Sequence, residues 1–145
     1  MDKVLCSVAT RGRYDTTLPM VLQAIANQTK LPDKLIIFDD NDEPQDLRGN
    51  FIYAKRQIHH MANHMGFEWV WRVDDDCVPE PNVLQNLFFY TGNGVGAVGG
   101  SILTPPNTNQ ISNTGLLKNI DSEPNVQWGF IKEKRKVEHL HCSFL

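Results

Sequence analysis

The chain has 145 residues, 14 Lys and Arg against 17 Asp and Glu for a formal charge of -3, and 41% hydrophobic side chains. That length suits a single domain, residues 1–145, able to bury roughly two thirds of its unfolded surface; the slight negative balance supplies no general pull towards nucleic acid or an anionic membrane. Cys6, Cys77 and Cys142 are widely spaced without a CxxC pair, which argues against a disulfide framework or a zinc site and for a reducing, cytoplasmic setting.

Val4 to Ala9 reads as a buried strand. It is too short for a signal peptide or a membrane span, and Arg11 and Arg13 follow closely. Thr10-Arg11-Gly12-Arg13 reads as a loop, and a helix is expected from Thr16 or Thr17, either of which would cap it. Leu18, Val21, Leu22, Ile25 and Ala26 share one face of that helix. Past the turn Leu31-Pro32-Asp33, Leu35 to Phe38 is a continuous apolar run of the kind found in parallel strands covered on both faces. It ends in Asp39-Asp40-Asn41-Asp42.

A second helix is expected from about Ile52 to Met65, stopped by Gly66, and a third strand over Trp69 to Val73. A third helix should run from about Pro81 to Tyr90 and bury Val83, Leu84, Leu87 and Phe88. Gly92 to Gly100 reads as an apolar strand thinned by glycine, and Thr104 to Asn113 as a surface loop. Asn125 to Ile131 and Val137 to Leu145 read as a hairpin across the charged turn Lys132 to Lys136. The sequence stops inside that last strand, so it is expected to be part of something longer.

Strands and helices thus alternate with short connections, which predicts an α/β domain with a parallel sheet and right-handed crossovers. In such a sheet the carboxyl ends of the strands share one edge, where ligands bind. Thr10 to Arg13, Asp39 to Asp42 and Asp74 to Asp76 should therefore converge. Three adjacent acids repel one another, and a nearby cation would offset that repulsion. In extended backbone Asp74 and Asp76 project to one side and Asp75 to the other, so the outer pair could hold a hard divalent ion through oxygen. A solvated acidic turn before a helix opened by Pro79 and Pro81 is the alternative.

Other patterns carry less. Gly94 to Gly99 spells GxGxxG, but it follows a helix and runs into Pro105-Pro106 instead of opening one, which speaks against a dinucleotide site. His60 and His64 have zinc-ligand spacing without the accompanying Glu, so an exposed polar face is expected. Trp69, Trp71 and Trp128 read as core or edge aromatics. His139 and His141 alternate on one side of the last strand.

Read in order, Ser7 to Arg13, Ile36 to Asp42 and Val73 to Asp76 resemble the family 2 glycosyltransferases, over about Val4 to Leu103 and more loosely beyond. The resemblance implies the GT-A fold, a Rossmann-like, mostly parallel sheet flanked by helices. It implies hexosyl or other glycosyl transfer, with inversion, from a nucleotide-diphosphate sugar to the hydroxyl of a glycan, lipid or protein acceptor. Mn²⁺ or Mg²⁺ would assist. Thr10 and Arg11 fall in the segment that contacts the nucleotide, with Arg11 where an aromatic is usual. Asp40 matches the acid that binds base or ribose, Asp76 the direct metal ligand, and Asp74 a ribose or water-mediated metal contact. Arg56, within Lys55-Arg56-Gln57, would face the nucleotide, or else form a surface ion pair. The family's general base lies downstream of the hairpin region and is expected beyond Leu145, since Asp121, Glu123 and Glu138 sit in no matching motif. A nucleotidyltransferase and a non-catalytic nucleotide-binding module are the competing readings.

Overall fold

The computed structural model describes residues 3–92, 95, 97–99 and 115–117. The expected loop at Thr104 to Asn113 and the expected hairpin lie outside them, as do Asp121, Glu123, Trp128, Glu138, His139, His141 and Cys142.

Strand β1 (Val4–Thr10) is the middle of three parallel strands, with β2 (Lys34–Asp39) on one side and β3 (Trp69–Asp74) on the other. Two short strands, β4 (Ala97–Gly99) and β5 (Gly115–Leu117), extend the sheet antiparallel to its neighbours, giving the order β2-β1-β3-β5-β4. The glycine-thinned strand is therefore β4, whereas β5 is not among the predicted elements.

Alternation along the strands divides the core in two. Val4, Cys6 and Val8, with Trp69, Trp71 and Val73, pack under α1 (Leu18–Ala26) and α3 (Val83–Phe89). Leu5 and Val70, with Ile36 and Phe38, pack under Ile58 and Ala62 of α2 (Phe51–His64). Because β1 is covered on both faces and paired on both edges, Val4, Leu5, Cys6 and Val8 are all 0% exposed. Trp69 meets Phe88 edge to face with ring centroids 6.2 Å apart.

Two expectations need correcting. Among the described residues the apolar run of β2 lies at the edge of the sheet instead of under cover on both faces. Ile36 and Phe38 face α2, but Leu35 and Ile37 remain 38% and 40% exposed. A run of apolar residues reports affinity for a sheet and carries no information about strand order. Thr17 does occupy the N-cap position of α1, yet its side chain makes no capping hydrogen bond, and Thr16 Oγ1 donates to Arg13 O at 3.4 Å. The helix begins instead on Leu18-Pro19, where proline's missing N–H costs nothing. Helix α2 is capped conventionally: the Asn50 side chain accepts from Tyr53 N–H at 3.0 Å, and Gly66 turns the chain away at φ +73°. No helix among the described residues is long and apolar enough to cross a membrane.

Candidate functional site

Register fixes the site. Thr10 pairs with Asp39 and Ala9 with Asp74, so the loops after β1, β2 and β3 leave the same edge of the sheet. Between them lies a pocket of about 300 Å³, lined by Ala9, Thr10, Arg11, Arg13, Phe38, Asp40, Gly49, Asn50, Ala54 and Asp75. Its walls combine an apolar surface from Phe38 and Ala54 with two carboxylates and two guanidinium groups.

One end is organised on Asp40. Asp39 caps a short 3₁₀ turn over Asp40–Asp42, its Oδ1 accepting from Asn41 N–H at 2.9 Å, and this separates the roles of the two adjacent acids. Asp40 Oδ2 accepts from Arg11 Nε at 2.8 Å and Nη2 at 2.6 Å, while Gly49 N–H lies 2.9 Å from both carboxylate oxygens. Partial desolvation pushes the Asp40 pKa up, but the Gly49 hydrogen bond and Arg11 outweigh it, so the group titrates below the usual carboxylate range. Asp40 is thus an anion at neutral pH, and Oδ1, which receives a single bond, keeps lone-pair capacity for a ligand.

Gly49 has a specific reason to be glycine. Its φ is +74°, and a Cβ there would come within 2.8 Å of Arg11 Nη2. Gly49→Ala is expected to lower stability by about 1–2 kcal/mol through left-handed strain and to turn Arg11 off Asp40. Denaturant titration checks the first effect; unchanged stability would show that the loop relaxes freely.

The other end is organised on the three acids. Strand β3 stops at Asp74, and Cys77 N–H donates back to Asp74 O at 3.1 Å, so Asp75 and Asp76 lie in a turn. This turn, and not strand alternation, brings a carboxylate oxygen from Asp74, another from Asp76 and the Cys77 sulfur to within 4.8 Å of one another. Asp75 is 1% exposed. It is held by Thr10 Oγ1–H donating to Oδ2 at 2.7 Å and by Arg13 Nη1 at 3.2 Å from Oδ1. The same Nη1 donates to Asp76 Oδ2 at 2.9 Å. The Asp76 hydrogen bond, followed by the charge of Asp75, raises the Arg13 pKa further. Desolvation first, and then the charges of Asp74 and Asp76, push the Cys77 thiol up to about 12, so it is protonated at neutral pH and the carboxylates are the stronger ligands. Carboxylate oxygens suit a hard divalent ion.

Thr10, Arg11 and Asp40 line the pocket, as does Asp75, the acid between Asp74 and Asp76. Arg56 is exposed on α2, about 200° around the helix from the pocket-lining Ala54, and it is not among the lining residues. His60 and His64 are exposed as well. The groups that the sequence did not nominate are Ala9, Arg13, Phe38, Gly49, Asn50, Ala54, Asp75 and Cys77, and Asp75, expected to point away from its neighbours, lines the pocket. The Gly49-Asn50 pair, just ahead of a helical apolar pattern, was the one local signal that could have flagged this wall.

Against known proteins, no family model matches the chain. Over 105 residues it is 29% identical to "Galactofuranosyltransferase GlfT1" of Mycolicibacterium smegmatis, an alignment covering 59% of this chain and 34% of that protein. The chain is homologous to a glycosyltransferase. It spans about a third of the length of this curated relative.

Proposed function

We propose that this chain forms the donor-binding part of a family 2, GT-A glycosyltransferase that takes a sugar from a nucleoside diphosphate. The observation that carries the reading is the shared pocket: Asp40, from the loop after β2, and Arg13 and Asp75, beside the Asp74–Asp76–Cys77 group, line one space. The nucleoside sits between Phe38 and Ala54 with a ring N–H or ribose hydroxyl on Asp40, and Thr10 and Arg11 close the pocket beside it. The diphosphate runs towards Arg13.

Asp76, with Asp74, would hold Mn²⁺ or Mg²⁺; such an ion neutralises negative charge on a departing diphosphate. The acceptor hydroxyl, on a glycan, lipid or protein, attacks the anomeric carbon from the face opposite the diphosphate, whose bond to that carbon breaks with inversion. Its proton goes to a carboxylate base, which the family resemblance puts downstream of the hairpin region. Arg56 would approach the nucleotide only if α2 turned. A cytoplasmic setting goes with this reading, in keeping with the free thiols Cys6 and Cys77.

A nucleotidyltransferase would need a Gly-rich basic loop after β1, and Thr10 to Arg13 holds one glycine, Gly12. A binding module would take the nucleotide sugar without releasing sugar. Calorimetric titration of UDP, GDP, CDP and dTDP, with and without Mn²⁺, tests the proposal. One base should bind at least about tenfold tighter than the others, a difference of 1.4 kcal/mol, and only with the metal. The relative's name makes galactofuranose a sugar to include when the nucleotide-sugar panel follows. Failure of every diphosphate to bind under both conditions would overturn the reading.

A further inference from the structure

Arg13 forms ion pairs with two members of the acidic turn, Asp75 and Asp76, through a single nitrogen, Nη1. Its partners differ in kind. Asp75 is almost wholly buried and also receives the Thr10 hydroxyl, so it is a fixed anchor. Asp76 is 41% exposed and belongs to the group that could hold a metal, so Arg13 occupies an oxygen that a metal would also seek. Arg13 itself is 37% exposed and lines the pocket, so it can leave Asp76 without unburying a charge.

We infer that Arg13 and a divalent cation compete for Asp76 Oδ2, and that an incoming diphosphate takes up the Arg13 guanidinium as the metal displaces it. The inference rests on the donor-site reading above and assigns Arg13 a diphosphate-binding role within it. Two cations on one carboxylate repel each other, so metal alone binds against Arg13. A diphosphate offers the guanidinium paired oxygens in exchange. Metal and diphosphate therefore bind cooperatively, each raising the affinity of the other by the same factor.

The test uses the intact chain, Mn²⁺ and inorganic pyrophosphate, with Arg13 reactivity towards phenylglyoxal followed by peptide mass spectrometry. Mn²⁺ alone should speed modification of Arg13, and Mn²⁺ with pyrophosphate should slow it below the rate seen without either. In calorimetry, Arg13→Gln should bind Mn²⁺ alone about three- to fivefold tighter, the scale of a partly exposed ion pair, and lose the cooperativity with pyrophosphate. A purely structural Arg13 would instead give weaker Mn²⁺ binding in the variant. Should Arg13→Gln fail to fold, the labelling of wild type still decides. Mn²⁺ and pyrophosphate binding to wild type with Arg13 reactivity unmoved by the metal overturns this inference alone. A wild type that binds no Mn²⁺ overturns it together with the proposed metal site.

Discussion

Asp76→Ala is expected to reduce the Mn²⁺-dependent gain in nucleoside diphosphate affinity by more than about a hundredfold, since loss of even an outer-shell partner costs about 10–100-fold and Asp76 is proposed as a direct ligand. The fold should hardly notice. The carboxylate is exposed and its tie to Arg13 is a surface ion pair, so the change in unfolding free energy should stay within about 0.5 kcal/mol. Asp75→Ala is the contrasting variant. That side chain is buried with the Thr10 hydroxyl and Arg13 as partners, and removing it leaves the buried Thr10 hydroxyl without its acceptor while Arg13 keeps Asp76, so its cost should appear in stability. Calorimetry for binding and denaturant titration for folding separate the two residues. An Asp76→Ala protein that keeps its metal-dependent affinity would remove Asp76 from the site.

Asp40→Ala is expected to weaken nucleoside diphosphate binding by roughly ten- to a hundredfold, the scale of a hydrogen bond to a charged group, while leaving pyrophosphate binding as it was. The distinction matters because Asp40 has two occupations. Besides the ligand proposed for it, it holds Arg11 and the Gly49 N–H, and either loss could lower affinity. A loop anchor alone would loosen the whole pocket and cost both ligands equally, whereas a nucleoside ligand costs only the one with a base and ribose. Parallel titrations of the variant with UDP and pyrophosphate read that difference directly.

The order of strands and helices from Val4 to Phe89 could be read from the chain because each element carries its own period and its own stop signal. Gly66 ended α2 and the polar runs ended the strands. The convergence of Thr10, Asp40 and Asp76 on one edge followed from topology, which short parallel crossovers nearly dictate. What escaped was set by contacts distant in sequence. The apolar run from Leu35 to Phe38 could not disclose that β2 would be an edge strand. Alternation grouped Asp74 with Asp76 correctly but for the wrong cause, since β3 ends at Asp74 and a turn does the grouping. Arg13 was visible only as part of a polar loop, because its importance lies in two acids more than sixty positions away.

The pocket is built on supports of unequal firmness. Its back, Ala9 and Thr10, belongs to a strand paired on both sides, whose amides are expected to exchange with solvent chiefly when the whole domain opens. The wall carrying Asp40 and Gly49 hangs on a few surface hydrogen bonds, those of Arg11 and Arg48 among them. Selection could therefore retune that wall for another base or sugar by changing a few loop residues, with the scaffold behind it left undisturbed.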